Sequence, residues 1–266
     1  MASLQNILIV GCGNMGGAML AGWLRGGIDP SRFTVVDPML ADAPPGVTLL
    51  RDMPEGPFDA ILIGIKPQML ADIAPRIAPL AGPDTIVLSI LAGGELASLA
   101  ARFPDAGGLV RIMPNLAAAL GKSPIALAAQ GLEDAVRKEV TALMEPLGTP
   151  EWFDESEFDL VTALAGSGPA FVYRFIDALA KGAASLGMDP GQAGRLALAT
   201  VEGASLLAAS SEDDPGELAR RVASPGGTTE AGLKVLDAHD SILNLFEATL
   251  RAAADRSAEM AREARG

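Results

Sequence analysis

The residues of this sequence that are best suited to chemistry are glycines and small polar residues beside the ends of predicted strands. Gly11-Cys12-Gly13-Asn14-Met15-Gly16 has the spacing G-x-G-x-x-G and directly follows the apolar run of residues 6–10. In such a turn, exposed backbone N–H groups at the positive end of the next helix bind the pyrophosphate of a dinucleotide. We therefore predict a dinucleotide site, with a purely structural turn as the alternative.

A carboxylate follows this turn at the distance in sequence where dinucleotide-binding domains distinguish NAD from NADP. Asp37 stands about 20 residues after Gly16, where such a carboxylate accepts hydrogen bonds from the adenosine ribose 2′-hydroxyl and repels a 2′-phosphate. The prediction therefore leans to NADH over NADPH. A solvated turn aspartate before Pro38 is the alternative, and Arg32 and Arg51 are possible partners for a 2′-phosphate.

Two further strand ends carry polar residues. Lys66 and Pro67 end the apolar run of residues 60–65, and Asn115 ends the run of residues 108–113 after an intervening proline. Because open α/β sheets bind ligands beyond the carboxyl ends of their strands, Lys66 either faces a ligand or is a solvated loop lysine. The Asn115 amide is placed to hydrogen-bond nicotinamide or its ribose.

Residues 224–229, Ser-Pro-Gly-Gly-Thr-Thr, precede a predicted helix and offer several N–H and O–H donors. Residues 166–169, Gly-Ser-Gly-Pro, also precede one. Ordinary helix capping and the binding of a carboxylate are both open for these segments.

The composition and charge of the chain argue against several classes of partner and site. The chain has 266 residues, of which 49% are hydrophobic and 4% aromatic, and its formal net charge is −13 at pH 7. A surface with this negative charge repels the phosphate backbones of nucleic acids. The few aromatic residues cannot form a platform on which bases stack. We therefore expect no nucleic-acid partner. One cysteine and one histidine exclude an internal disulfide and a multi-histidine metal site, so we expect no metal.

The uncharged stretch of residues 7–24 is the one segment with the length of a membrane span. It contains five glycines and Asn14 and lacks a preceding basic region, which indicates a turn between two elements. We therefore expect no membrane association and a cytoplasmic location.

The strands and helices that must position these residues are distributed unevenly along the chain. Apolar runs alternate with helical patterns up to about residue 155, which favours a doubly wound, mostly parallel sheet. The predicted strands are residues 6–10, 33–37, 60–65, 85–90, 108–113 and 124–129, with an edge strand at 152–153. The predicted helices between them cover residues 15–25, 68–80 (crossed by Pro75), a segment ending at 103, and 134–147.

After residue 155 the pattern is helical throughout. The predicted helices are residues 158–165, 170–186, 192–209, 217–222, 229–237 and 241–264. We place the domain boundary here, with an α/β dinucleotide-binding domain at residues 1–155 and an all-α domain at residues 156–266.

In combination, these segments resemble the pyrroline-5-carboxylate reductases over essentially the whole chain. The resemblance rests on Val10 to Gly16, Ile65-Lys66-Pro67, Arg111-Ile112-Met113-Pro114-Asn115, Gly166-Ser167-Gly168-Pro169-Ala170 and the Ser-Pro-Gly-Gly-Thr-Thr segment, in that order. It implies a Rossmann-type N-terminal domain followed by an all-helical substrate-binding and dimerisation domain, with the active site at the domain junction. It also implies a cytoplasmic oxidoreductase of amino-acid biosynthesis, which reduces 1-pyrroline-5-carboxylate to L-proline with NAD(P)H in the last step of proline biosynthesis. A homodimer or a ring of dimers is expected.

The resemblance also implies roles for individual residues. The cofactor-binding residues would be Val10, Gly11, Cys12, Gly13, Asn14, Met15, Gly16, Asp37, Ile65, Lys66, Pro67, Leu91, Ala92 and Asn115. The substrate-binding residues would be Ser224, Gly226, Gly227, Thr228 and Thr229. Thr229, which would hydrogen-bond the ring nitrogen, and Lys66 are the candidate catalytic residues.

Three positions depart from the family pattern. Leu116, Ala165 and Phe171 each stand where the family commonly has a hydroxyl-bearing residue. Two other functions remain open, the first because its members have a similar two-domain build and the second because of Leu116 and Ala165. One is a hydroxyacid dehydrogenase, for which Lys181 would be the candidate base, and the other is a dinucleotide-binding regulatory protein without catalysis.

Overall fold

The computed structural model describes residues 4–265, with side chains up to residue 263. The chain forms two compact units. The first comprises residues 4–166 together with residues 252–265, and the second is Ser167–Arg251.

The first unit is built on one eight-stranded sheet with the order β3-β2-β1-β4-β5-β6-β7-β8. All neighbouring strands are parallel except β6 and β7. From β1 the chain runs outward to β3 and then returns to β4 on the other side, so the strand order reverses between β1 and β4. The strands are β1 Ile7–Val10, β2 Phe33–Val36, β3 Thr48–Leu50, β4 Ala60–Ile63, β5 Ile86–Ser89, β6 Gly108–Met113, β7 Ser123–Gln130 and β8 Gly148–Trp152.

Helices cover both faces of this sheet. The helices of the first unit are α1 Asn14–Arg25, α2 Leu70–Ile77, α3 Leu96–Arg102, α4 Asp134–Met144 and α5 Phe158–Val161. Buried side chains of α1 and α4 share one apolar cluster with the sheet, whereas those of α2, α3 and α5 share the other. Because β1 and β4 are buried on both faces, they are continuous apolar runs without alternation.

The second unit is entirely helical. Its helices are α6 Gly168–Ser185, α7 Pro190–Ser210, α8 Pro215–Val222, α9 Thr228–Leu236 and the first part of α10 Ser241–Arg265. Within this fully described unit the buried residues are Ala193 and Ala197, while many of its large apolar side chains, such as Leu198, Leu207 and Leu243, are exposed. A single copy of the unit therefore does not bury its own apolar surface.

The predicted fold class is confirmed, and most predicted strands and helices are present with ends that differ by no more than three residues. The edge strand predicted at residues 152–153 shares only Trp152 with β8. The strand β3 was not predicted. It has three residues, follows two prolines and a glycine, and is partly exposed at the sheet edge, so it has no apolar run to reveal it.

Two predicted helices were wrong in their extent. The helix predicted over residues 158–165 is the single turn α5 followed by a π-helical turn, Thr162–Gly166. Here the Thr162 hydroxyl donates to the Phe158 carbonyl at 2.7 Å, and the side-chain amide of Asn115 donates to the Ala165 carbonyl. The helix predicted over residues 68–80 is shortened to α2, with a 3₁₀ turn at each end; α2 ends two residues after Pro75.

The two compact units divide at residue 166, eleven residues beyond the boundary predicted from composition. The reason is packing, because the side chain of Phe158 is fully buried in the apolar cluster that α2 and α3 share with the sheet. Residues 1–155 and 156–266 therefore remain a predicted functional division, distinct from the compact units. In the described part of the chain, none of the helices has the length and apolarity to cross a membrane.

Candidate active site

The glycine turn after β1 packs against the end of β4, where the strand order reverses. Gly11 has a φ of +86°, and a Cβ built there would lie 2.9 Å from the backbone of Gly64 and from Ile65 Cγ2. A Cβ on Gly16 would lie 2.7 Å from the Gly11 carbonyl oxygen. These two glycines are therefore required by the backbone conformation and by the close packing of α1.

Gly13 differs from both of these glycines. It is the N-cap of α1, so it has no side chain to accept the amides of the first turn, and that turn is uncharged. A Cβ built on Gly13 would meet nothing within 4 Å. The exposed space above Gly13 and the uncapped amides of α1 together fit a pyrophosphate, which would compensate the positive end of the helix dipole.

Asp37 joins the end of β2 to this turn. Its Oδ2 accepts the Cys12 N–H at 2.8 Å, and its Oδ1 accepts the N–H groups of Met39 at 2.8 Å and Leu40 at 3.2 Å. A carboxylate has about four acceptor positions, so one remains for a ribose hydroxyl. Asp37 is half-buried and is therefore not a freely solvated turn residue.

The two arginines considered for a 2′-phosphate are both bound to backbone carbonyls. Arg51 donates from Nη1 to the carbonyls of Asp37, at 2.9 Å, and Leu40, and from Nη2 to that of Ala41 at 3.1 Å. Arg32 donates from Nη2 to the Leu4 carbonyl. Both guanidinium groups therefore already stabilise loops of this unit.

Cys12 occupies a small buried position within the turn. Burial, reinforced by the negative charge of Asp37, raises the pKa of the Cys12 thiol to about 11. A thiol with so high a pKa is almost wholly protonated at neutral pH, so it is a poor nucleophile. What Cys12 contributes to the site is its backbone N–H, which donates to the carboxylate of Asp37.

The strand-end residues of β4 and β5 border one cavity. It has a volume of about 460 Å³ and is lined by three residues of the predicted cofactor set, Pro67, Leu91 and Ala92, together with Gly93, Gly94 and side chains of α2, α3 and α10. Lys66, at the end of β4, is exposed and precedes the 3₁₀ turn that leads to α2. Lys66 remains a predicted site residue whose side chain is free to orient toward a ligand or toward solvent.

Asn115 is more deeply engaged than the sequence suggested. It is buried, its Nδ2 donates to the Ala165 carbonyl at 2.9 Å, and its Oδ1 accepts the Ala117 N–H at 2.9 Å. Its own N–H donates to the Ser123 hydroxyl at 2.9 Å. The side chain thus ties the π-helical turn to the end of β6, and one amide hydrogen is left for the predicted contact with the cofactor. The next residue, Leu116, is exposed.

In the second unit, residues 224–229 form a tight loop that opens α9. Gly226 has a φ of +72°, and its N–H donates to Glu230 Oε2 at 2.7 Å, while the Gly227 N–H donates to the Ser224 carbonyl at 2.9 Å. Gly227 is the N-cap, so the first amides of α9 have no capping side chain from it. Thr228 and Thr229 begin the helix with exposed side chains. These donors suit a small carboxylate, although Glu230 places a negative charge beside them.

The structure therefore groups the predicted residues into two sets. The glycine turn, Asp37, the strand-end residues and Asn115 belong to the first unit, and residues 224–229 belong to the second. Two residues of interest were missed, Arg111 and Glu155, which form an ion pair between a buried guanidinium and a half-buried carboxylate beside the loop after β5. The arginine inside the apolar run Gly-Leu-Val-Arg-Ile-Met was the available signal, since a buried arginine requires a partner.

Comparison with known proteins identifies the family of this chain. The family model for pyrroline-5-carboxylate reductase dimerisation matches residues 155–260. The chain is 34% identical over 270 residues to the pyrroline-5-carboxylate reductase of Pseudomonas aeruginosa, covering 98% of each.

Two solved structures are also similar. The pyrroline-5-carboxylate reductase of Coxiella burnetii has a TM-score of 0.89 at 27% identity, covering 97% of this chain and 98% of that one. The pyrroline carboxylate reductase of Plasmodium falciparum, solved with NADP bound, has a TM-score of 0.81 at 22% identity and covers 98% and 100% of the two chains. On the extent and identity of the match to the Pseudomonas protein, this chain belongs to the pyrroline-5-carboxylate reductase family.

Proposed function

We propose that this protein reduces 1-pyrroline-5-carboxylate to L-proline with a reduced nicotinamide dinucleotide, as the last step of proline biosynthesis. The observation that carries the proposal is the glycine turn of a family member, in which Gly13 leaves open space over the uncapped start of α1. That geometry fits a pyrophosphate. The match to reductases over nearly the whole chain supports the choice of reaction.

The cofactor would be held mainly by the first unit. The turn from Gly11 to Met15 would bind the pyrophosphate, Asp37 the adenosine ribose, and Leu91 with Ala92 the nicotinamide side. When bound, the reduced nicotinamide supplies the hydride. The chain's contribution is to position the ring and to exclude water, for which near-attack geometry contributes about 7–11 kcal/mol.

We propose that NADH is preferred over NADPH. Asp37 holds a carboxylate at the end of β2, and Arg51 and Arg32 are already bound to backbone carbonyls. A 2′-phosphate would thus meet a like charge and would have to recruit an arginine from its present hydrogen bonds. A ribose hydroxyl needs only the remaining acceptor position of Asp37.

The substrate would be bound by the loop of residues 224–229. Among the backbone amides from Gly226 to Thr228, that of Thr228 would take the carboxylate, and the other two would join it only by releasing their present acceptors. The Thr229 hydroxyl would hydrogen-bond the ring nitrogen. A protonated C=N bond already has an electrophilic carbon, so the reaction needs little acid catalysis. This is consistent with a chain whose single histidine, His239, is exposed at the end of α9.

The protein is a homo-oligomer, as its dimerisation region and the exposed apolar side chains of the second unit support. We propose a dimer as the basic assembly, with a ring of dimers as the alternative. Helices that expose many large apolar side chains in one copy are stable in water only when another surface covers them. A cytoplasmic location is also part of the proposal, and a single free cysteine fits a reducing compartment.

The alternative functions have less support. A hydroxyacid dehydrogenase would use Lys181 as its base, but Lys181 is exposed and its Nζ lies 2.9 Å from Asp177 Oδ2 on the same helix. A regulatory protein without catalysis was suggested by Leu116 and Ala165. Neither position lies in the glycine turn or in the loop of residues 224–229, so both proposed binding loops are intact.

The reaction is tested by steady-state kinetics with NADH and NADPH. We expect oxidation of NADH that depends on 1-pyrroline-5-carboxylate and yields L-proline, with a higher kcat/KM for NADH than for NADPH. Turnover with a hydroxyacid instead would support the dehydrogenase. Cofactor binding by calorimetry without any turnover would support the regulatory protein.

A further inference from the structure

Arg111 is a charged residue in the interior of the sheet. It lies on β6 directly opposite Ser89 of β5, and its side chain is about 4% exposed. Burial of a guanidinium is costly unless a carboxylate and hydrogen bonds compensate its charge. The family resemblance includes Arg111 in one of its motifs, but the proposed reaction gives it no role.

One carboxylate compensates this charge. Arg111 Nη1 lies 3.1 Å from Glu155 Oε1, and its Cζ lies 4.5 Å above the centre of the Phe158 ring. In the described part of the chain, Nε and Nη2 of Arg111 are buried without a hydrogen-bond partner. Glu155 is therefore the principal group that neutralises the buried guanidinium.

The same oxygen atom of Glu155 also holds the loop after β5. Glu155 Oε1 accepts the N–H of Leu96, the first residue of α3, at 2.7 Å. The loop that ends at Leu96 contains Leu91 and Ala92, which border the cavity and are predicted to line the nicotinamide side. One carboxylate oxygen thus joins β6 to this loop.

The other end and the middle of the loop are also tightly packed. The Leu91 N–H lies 3.4 Å from the Ser89 hydroxyl. Gly93 has a φ of +74°, and a Cβ built there would lie 3.2 Å from backbone atoms of Met260 and Ala261 in α10. Because the loop is held at Leu91 and Leu96 and packs closely against α10 at Gly93, a displacement of Leu96 would move the segment that borders the cavity.

We propose that Arg111 and Glu155 are positioning residues, which hold the loop of residues 90–95 in the geometry that binds the nicotinamide end of the cofactor. The inference rests on the proposed function, because that function places the cofactor beside this loop. Neutralisation of Arg111 requires only a nearby negative charge. Positioning requires in addition that one oxygen atom reach both Arg111 Nη1 and the Leu96 N–H.

Two substitutions of Glu155 separate the effect of its negative charge from the effect of its side-chain length. Glu155→Asp keeps the negative charge but shortens the side chain by about 1.5 Å, so its carboxylate cannot span both partners. Glu155→Gln removes the charge but keeps an oxygen acceptor at the same distance from the backbone. Glu151→Asp, on the exposed side of the edge strand β8, is the matched control.

The readouts are calorimetric titration with NADH, thermal unfolding and steady-state kinetics. We expect Glu155→Asp to weaken NADH binding about ten-fold and to lower kcat, since a displacement of about 1 Å in a positioning group can cost up to about 10²-fold. We expect Glu155→Gln to bind NADH within about three-fold of the unsubstituted protein while unfolding at a lower temperature. The control should change neither quantity.

NADH binding by Glu155→Asp equal to that of the unsubstituted protein would overturn the proposal, as would weaker binding by Glu155→Gln than by Glu155→Asp. Either result would reduce the pair to charge neutralisation. The binding comparison does not depend on turnover. Failure of the unsubstituted protein to reduce 1-pyrroline-5-carboxylate would therefore count against the proposed reaction and leave this inference to be judged by binding alone.

Discussion

The carboxylate of Asp37 accepts a hydrogen bond from the backbone N–H of Cys12 at 2.8 Å, and so links the end of β2 to the glycine turn that follows β1. The same carboxylate binds the amides of Met39 and Leu40. Asp37 therefore has two roles that use different lone pairs. It shapes the turn that would hold the pyrophosphate, and it presents a negative charge where the adenosine ribose would lie.

Removal of that charge should alter cofactor preference. Asp37→Asn keeps one oxygen acceptor but turns an NH2 group toward either the Cys12 N–H or those of Met39 and Leu40, so binding of both cofactors should weaken. It also abolishes repulsion of a 2′-phosphate, so we expect the ratio of kcat/KM for NADH to that for NADPH to fall about ten-fold, or about 1.4 kcal/mol. The measurement is steady-state kinetics with both cofactors. Asp42→Asn, exposed in the same loop, is the control and should leave the ratio unchanged. An unaltered ratio in Asp37→Asn would mean that this carboxylate does not select the cofactor.

Gly13→Ala should weaken cofactor binding without unfolding the protein. An added Cβ at Gly13 meets no atom of the chain within 4 Å, but it enters the space in which the pyrophosphate would approach the backbone. We expect the unfolding temperature to change by no more than about 2 °C and the Kd for NADH to rise at least about ten-fold.

Gly17→Ala is the matched control for this change. Gly17 lies inside α1, and its added Cβ would make an ordinary contact at 3.7 Å with the Cys12 carbonyl oxygen. Because alanine favours a helix over glycine by about 1 kcal/mol, this variant should be at least as stable and should bind NADH normally. Equal binding by the two variants would remove the glycine turn from the cofactor site.

Cys12 should be chemically inert at neutral pH. Burial and Asp37 raise the pKa of the Cys12 thiol from the usual 9.0 to about 11. We expect a thiol reagent to react slowly with the folded protein at pH 8, and at a normal rate after unfolding in denaturant. Fast reaction of the folded protein at that pH would contradict the placement of Cys12.

The same shift has a consequence for stability. The unfolded chain begins to lose this proton near pH 9.0, while the folded protein retains it until about pH 11. In that interval the folded state binds more protons, so the free energy of unfolding should fall as the pH rises. Denaturant titrations of Cys12→Ala should show a smaller fall over the same pH range than those of the unsubstituted protein.

Thr229 should affect the substrate and leave cofactor binding unchanged. Its side chain is exposed at the start of α9, so Thr229→Ala should not disturb the fold of the second unit. Loss of a hydrogen bond to the ring nitrogen should lower kcat/KM for 1-pyrroline-5-carboxylate about ten-fold, which corresponds to a bond of about 1.4 kcal/mol.

Thr229→Ser separates the hydroxyl from the methyl group. It retains the donor and should recover most of the activity, with the Kd for NADH unchanged in both variants. Unaltered kinetics in Thr229→Ala, or a serine variant as impaired as the alanine variant, would exclude the proposed hydrogen bond.

Much of the fold could be predicted because it follows from local patterns. The buried parallel strands β1 and β4 are uninterrupted apolar runs, and the Gly-x-Gly-x-x-Gly spacing marks the turn between β1 and α1. The edge strand β3 has neither a long run nor a clear period. Its existence depends on pairing with β2, which local sequence does not reveal.

The missed features of the site depend on contacts between distant segments. Asn115 bonds the carbonyl of Ala165, 50 residues away, and Leu96 bonds Glu155, 59 residues away. The sequence indicated that Asn115 stands at a strand end, but it could not show that this amide fastens a π-helical turn. It likewise contained Arg111 within an apolar run without showing which carboxylate would meet it.

The central claim is tested most directly by mixing the purified protein with NADH and 1-pyrroline-5-carboxylate, and by following the loss of reduced nicotinamide together with the appearance of L-proline. We predict loss of NADH that requires both enzyme and imine, with one L-proline formed for each NADH consumed. Tight NADH binding with no L-proline formed would contradict the claim and would show that this member of the family binds the cofactor without performing the reduction.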